Sequence, residues 1–192
     1  PETHPKERNQ FKTCALGTLY GLGPEGMAQK LGQPVETGRQ LLRHHRNCYQ
    51  GYWKWNHDTV TAAILNQEME TVMGWKMKVP ARISASEGPN MRSLANFPMQ
   101  ANGSEMLRVA VIKANELGVE ICATVHDALL IQAPLESIDK VAQDTQHAME
   151  EASELILNGF RLKTDTKVFR WPDRFFDERG SGMWKKIMKL LQ

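Results

Sequence analysis

Over the first third of the chain, apolar and polar positions keep a helical period, which gives way to strand-like alternation near residue 68. Arg8, Lys12, Leu16 and Tyr20 recur every fourth position within residues 7–20, the spacing of one helical face. Gly21, Gly23 and Pro24 then end that helix. A short helix is expected around Gly26–Leu31. Pro34 opens a longer one, with Leu41 and Leu42 toward the core and Arg39, Arg43, His44 and Arg46 outward. Gln50-Gly51 bends the chain, and Tyr52–Asn66 reads as a helix whose aromatic residues pack between lobes.

Past residue 68, the segment from Glu70 to Val79 alternates around Gly74 and predicts a β-hairpin. Residues 84–90 read as loop, and Ser104–Leu117, apolar on most faces, as a buried helix. Val119–Thr124 and Leu129–Ala133 flank His126-Asp127, giving a second hairpin with a polar tip. Leu135–Leu157 reads as a long helix stopped by Asn158-Gly159. Its exposed face carries Glu136, Asp139, Asp144, Glu150, Glu151 and Glu154 against Lys140 alone. Phe160–Val168 is expected to be a strand and Met183–Leu191 a terminal helix. The expected class is α+β, with a helical lobe over residues 1–67 and an antiparallel-sheet portion over 68–192.

Composition adds little to this outline. With 192 residues, 41% hydrophobic and 24% charged, the chain can bury a sizeable core. It has no apolar run of the roughly 18 residues that span a bilayer, so no membrane partner is expected. Cys14, Cys48 and Cys122 are odd in number and lack a C-x-x-C pair, which suits buried free thiols in a reducing compartment. The formal charge is +2, yet residues 1–54 hold eight Lys/Arg against four Asp/Glu, a distribution suited to an anionic ligand. Pro1-Glu2-Thr3-His4-Pro5-Lys6 is neither an initiator nor a signal peptide, which fits a segment of a longer chain.

Three motifs carry chemistry. The stripe Arg8, Lys12, Leu16, Tyr20 is roughly 18 Å long with little rotation. It offers two cations, an apolar contact and an aromatic ring in the order of a nucleoside triphosphate's phosphates, sugar and base. Arg gives multidentate phosphate contacts and Lys a mobile point charge. The same stripe alone also fits a solvated basic edge. The second motif is Arg92-Ser93-Leu94-Ala95-Asn96-Phe97-Pro98-Met99-Gln100, where Pro98 is expected to force a break. The third is Thr124-Val125-His126-Asp127-Ala128.

Together these strings resemble the family A DNA polymerases, of the bacterial polymerase I type. The pattern R-x3-K-x3-[F/Y]-G-x2-Y-G of that family's fingers helix is met by Arg8, Lys12, Gly17, Tyr20 and Gly21, with Leu16 in place of the aromatic. Arg92, Asn96 and Gln100 are similar to its R-x3-N-x-P-x-Q segment. His126-Asp127 resembles its V-H-D-E hairpin, with Ala128 where Glu usually stands. Glu70-Thr71-Val72-Met73-Gly74-Trp75-Lys76 looks like its E-T-L-x-G-R-R hairpin, and the resemblance covers about residues 6–170.

The resemblance implies fingers helices over 1–67 and part of a palm over 68–192. It implies template-directed DNA synthesis, with primer–template DNA and dNTP as partners and a cytoplasmic location in a bacterial or phage-infected cell. Arg8, Lys12, Leu16 and Tyr20 would bind the nucleotide. Tyr20, Gly21, Arg92, Asn96, Gln100 and His126 would contact DNA. Lys12 and Asp127 would be catalytic, Asp127 as a Mg²⁺ ligand in a two-metal site. A second aspartate, in a D-x-S-x-x-E-x-R string, would lie upstream in the same polypeptide; no such string occurs in this sequence. The isolated chain is therefore expected to be inactive. A single-subunit RNA polymerase segment and a non-catalytic duplex-binding module remain alternatives.

Overall fold

The computed structural model describes residues 4–80, 88–173, 175 and 178–191. Its elements are helices α1 (Pro5–Leu19), α2 (Pro24–Leu31), α3 (Val35–Cys48) and α4 (Gln50–Asn66), then strands β1 (Glu68–Glu70) and β2 (Lys76–Lys78). After these come α5 (Met91–Glu116), β3 (Glu120–Val125), β4 (Ala128–Gln132), α6 (Ile138–Ile156), a 3-10 turn at Glu178–Gly180 and α7 (Ser181–Leu190). Each strand pair is an antiparallel two-stranded sheet, and the fold is α+β. No helix among the described residues is long and apolar enough to cross a membrane.

The chain divides into two compact units, one up to Ser104 and one from Glu105 onward. In the first, Pro5 and Pro24 open α1 and α2, where a missing N–H costs no helical bond. Gly21 (φ 66°) and Gly32 (φ 61°) follow them in the left-handed region that lets a helix end sharply. Gly38 is where α2 and α3 touch: a Cβ there would stand 2.3 Å from the carbonyl oxygen of Pro24. The core of this unit gathers Val60 and Ala63 of α4, Met69 of β1, Val79 and Leu94 of α5, with Phe97 and Met77 against it. The β1–β2 hairpin therefore packs with the helices that precede it. The change of period at residue 68 marks a change of secondary structure within this unit.

Helix α5 runs through Pro98 without the expected break. Proline removes one helical hydrogen bond, but Leu94 before it and Ala101 after it are both buried, and Asn102 Nδ2 donates to the Pro98 carbonyl at 2.8 Å. Packing on both sides holds the helix together across the defect.

In the second unit, Ala114 of α5, Val119 and Ala148 of α6 form a small core beneath Ile121, Leu129 and Ile131 of the β3–β4 hairpin. The segment Phe160–Val168, expected as a strand, has no regular secondary structure. Side chains of α6 take up its backbone instead. Leu162 N donates to Ser153 Oγ at 2.8 Å, and Gln146 Nε2 donates to the Thr164 carbonyl at 2.9 Å. The acidic face expected on α6 is partly neutralised by the same strap and by α5. Arg161 pairs with Glu154, Arg170 with Asp139, and Lys113 with Glu151 at 2.7 Å, which holds the Glu151 carboxyl below its ordinary range. Residues 84–87 of the expected loop lie outside the described residues. Cys14 is buried, whereas Cys48 and Cys122 are exposed, against the expectation of three buried thiols. Cys48 ends a polar helix, and Cys122 sits where the β3–β4 register shifts between Ile121 and Ala123.

Candidate functional site

Helix α1 buries Cys14, Gly17 and Thr18. Gly17 serves that packing, since a Cβ there would meet Leu22 and Met27 at 3.1 Å. The other face carries Arg8, Lys12, Leu16 and Tyr20, all exposed, with Leu16 at 44% and Tyr20 at 55%. The four-residue stripe is thus a continuous solvent-facing edge, with both cations toward the N-terminal end and the ring at the C-terminal end.

At that C-terminal end the first two motifs meet. Tyr20 caps α1, and its hydroxyl accepts a hydrogen bond from Gln100 Nε2 at 3.0 Å. Gly21 follows in the left-handed region, and a Cβ on it would come within 3.0 Å of Arg92 Cγ. Glycine is needed there twice over, for its backbone and for room beside Arg92. Arg92 stands in the first turn of α5, which Asn90 Oδ1 caps by accepting from the amides of Arg92 and Ser93 at 3.1 and 3.2 Å. Asn96 Nδ2 donates to the Arg92 carbonyl at 2.8 Å. Arg92, Asn96 and Gln100 lie four residues apart on one helix. The structure brings Tyr20, Gly21, Arg92, Asn96 and Gln100 into one group, with the amide donors of Asn96 and Gln100 engaged within the protein.

His126 and Asp127 form the two-residue turn of the β3–β4 hairpin, closed by the pair Val125↔Ala128. His126 adopts φ 56°, a conformation that costs a non-glycine residue roughly 1–2 kcal/mol. Both residues are exposed, so the Asp127 carboxylate is presented at the tip. The stripe and the Tyr20 group belong to the first unit and this turn to the second. Among the described residues, no group of three or more His, Cys, Asp or Glu could hold a metal ion. Asp127 is a hard oxygen donor of the kind Mg²⁺ prefers, but the residues present do not by themselves make a metal site.

One feature of the first unit escaped the sequence reading. An open cavity of about 550 Å³ is lined by Arg39, Arg43, Arg46 and Arg92 together with Tyr52 and Trp53. Burial pushes the His45 imidazole below its ordinary value, and its Nδ1 accepts from Trp53 Nε1 at 3.1 Å. Arg46 lies over the Trp53 ring, 4.6 Å from its centroid. The i, i+4, i+7 spacing of the three α3 arginines was the available signal. What they face could not be read without the α3–α4 corner.

Known proteins share this sequence pattern and this fold. The model of DNA polymerase family A matches residues 1–170. The thermostable DNA polymerase I of Thermus caldophilus is 27% identical over 155 residues, covering 77% of this chain and 19% of the relative. DNA polymerase I of Deinococcus radiodurans is 26% identical over 156 residues, covering 78% and 16%. The chain thus spans about a fifth of the length of these curated relatives. A similar fold is found in the POL domain of Pol1 from M. smegmatis, solved in complex with DNA primer–template and dNTP. That likeness has a TM-score of 0.68 at 24% identity and covers 79% of this chain and 28% of the other.

Proposed function

This chain belongs to DNA polymerase family A, and from that premise we propose that it carries the nucleotide-gripping helix and one metal-binding aspartate of a template-directed DNA polymerase. The observation that carries the reading is the Tyr20–Gly21–Arg92–Gln100 group. It joins two motifs about 80 residues apart at one end of an exposed cationic stripe, where a base pair would sit if the triphosphate lay along α1.

In this reading Arg8 and Lys12 hold the phosphates of a dNTP and offset the charge that develops on them during transfer to a primer 3′ end. Leu16 meets the sugar, and Tyr20 and Gly21 bound the base pair. Arg92, Asn96 and Gln100 reach the minor groove of the primer–template end. Its acceptors differ little between sequences, so neutral amide donors can read the shape of any correct pair. Engaging DNA would require Gln100 to exchange the Tyr20 hydroxyl for a base edge, and His126 would lie near the primer terminus. Mg²⁺, when bound, supplies charge stabilisation to the attacking and leaving oxygens of an in-line displacement. Asp127 would be one of its ligands, with others from water, phosphate and a carboxylate outside these 192 residues. The chain alone is accordingly inactive in this reading.

The test uses a polypeptide that joins these residues to the missing aspartate motif. Asp127→Asn should abolish primer extension and leave primer–template affinity near that of the parent, because the carboxylate serves the metal. Lys12→Ala should weaken dNTP binding and lower the rate together. Equal and mild effects of the two substitutions, read from single-turnover extension and DNA titration, would return both residues to an ordinary turn and a solvated helix edge.

A further inference from the structure

We propose that α7 is a membrane-surface helix, which lays its apolar face on a bilayer of anionic lipid. Helix α7 lies beyond residues 1–170, the part matched by the polymerase family. At 100° per residue, Leu190, Met183, Ile187, Trp184 and Met188, with the cap residue Leu191, fill one arc of about 160°. All six are between 41 and 85% exposed, and the main packing partner of α7 among the described residues is the 3-10 turn at Glu178–Gly180. Lys185, Lys186 and Lys189 fill the opposite arc. Residues 181–191 contain no carboxylate side chain, and the three lysines have no ion-pair partner among the described residues. Isolated helices shorter than about 12–15 residues are marginal in water and depend on packing of one face. Helix α7 has ten residues, so whatever covers that face also holds the helix.

Charge and shape together select the occupant. The arc covers nearly half of the helix circumference, the share that sinks when a helix lies in the plane of a bilayer surface. Lys186 borders it beside Leu190, and Lys185 borders it beside Met188. An ammonium on each edge can therefore reach lipid phosphates while its stem stays over apolar ground. Trp184 lies within the arc, where an indole suits the boundary between headgroups and acyl chains. A protein groove takes a narrower stripe, anchored at i, i+4 and i+7, and would leave one edge of this arc wet. A second copy would bring two sets of lysines together, and helices about 15 Å long bury too little for the roughly 1,000 Å² of a specific interface. Duplex DNA would engage the lysines and leave the apolar side chains in water. The expectation of no membrane partner rested on the lack of a spanning run, which a helix lying in the surface does not need. The inference stands on α7 alone and does not use the polymerase reading.

The experiment cosediments the 192-residue chain with sucrose-loaded vesicles of phosphatidylcholine, either alone or with about 30% phosphatidylglycerol to supply the anionic surface. The parent should bind the anionic vesicles and bind the neutral ones about tenfold more weakly or less. Lys185→Gln/Lys186→Gln should lower binding to anionic vesicles about twentyfold, each lysine near such a surface being worth about fivefold. Ile187→Gln/Leu191→Gln should abolish it with all three lysines in place. These side chains are exposed, so far-ultraviolet circular dichroism and affinity for duplex DNA should match the parent in both variants. Trp184→Phe should still bind, whereas quenching of tryptophan emission by brominated lipid, present in the parent, should largely disappear. A parent that stays in the supernatant with anionic vesicles overturns the inference. So does an Ile187→Gln/Leu191→Gln variant that binds as the parent does, because charge alone would then explain the binding. Dimerisation of the parent in sedimentation velocity, lost in that variant and without vesicle binding, gives the face to a second copy and overturns the inference too. Equal losses on vesicles and duplex DNA in Lys185→Gln/Lys186→Gln assign the lysines to DNA, with the same consequence.

Discussion

Leu16 shows how a single side chain carries the nucleotide reading. It lies mid-stripe between Lys12 and Tyr20, exposed at 44%, so its face is open to a ligand rather than spent on the core. A branched aliphatic there offers neither the flat packing of a ring nor a hydroxyl to replace a missing sugar hydroxyl. The polymerase carrying this residue should therefore discriminate strongly against 2′,3′-dideoxynucleotides. Leu16→Tyr should relax that discrimination by up to roughly tenfold, the worth of one net hydrogen bond of about 0.5–1.5 kcal/mol, at little cost to normal extension. The check is the ratio of normal to dideoxy incorporation in parent and variant. An unchanged ratio in an active variant would mean that residue 16 does not touch the sugar. That Arg8, Lys12, Leu16 and Tyr20 share a face was legible in the sequence because helical geometry alone fixes it. The burial of the three cysteines was not. Cys122 lies exposed on a hairpin strand that is open to solvent over most of its length, a consequence of what packs against the hairpin that no local pattern records.

At the scale of elements, the junction of α2 and α3 sets the stage for the cavity. Gly38 lies against the Pro24 backbone so closely that an added methyl group would meet a carbonyl oxygen at 2.3 Å. Backbone cannot swing aside as a side chain can, so Gly38→Ala should force α3 outward and cost about 1–3 kcal/mol, the range of overpacked sites. Chemical denaturation should show a lower midpoint for the first unit. A midpoint equal to the parent's would mean that the two helices separate freely. The sequence announced most helices because proline and glycine punctuate their ends. It misjudged Pro98, where burial of Leu94 and Ala101 outweighs one lost hydrogen bond. It also misjudged Phe160–Val168, whose alternation is real but whose backbone finds α6 side chains instead of a neighbouring strand. Local propensity set the candidates in both places, and tertiary packing chose between them.

For the whole molecule, the change of period near residue 68 and the division after Ser104 describe different things. Period is a property of neighbouring residues. Compactness depends on which segments share a core, and Val60, Met69 and Leu94 bind the first hairpin to the helices around it. The division also assigns the proposed functions to separate bodies, with the cationic stripe and the Tyr20 group in one and the Asp127 turn in the other. Binding and chemistry should separate accordingly. The 192-residue chain has one exposed aspartate at the hairpin tip, no group of metal-binding residues among those described, and about a fifth of the length of its curated relatives. One oxygen ligand cannot clamp both the attacking and the leaving oxygen of an in-line displacement. With Mg²⁺ and all four dNTPs, the purified chain should therefore leave a labelled primer at its starting length on a denaturing gel, while anisotropy still reports binding of DNA. Joining it to a segment that supplies the second aspartate should restore extension, and Asp127→Asn in the joined polypeptide should remove it again. Templated extension by the 192-residue chain alone, lost on Asp127→Asn, would show that one protein carboxylate suffices and that the proposed division between binding and chemistry is wrong.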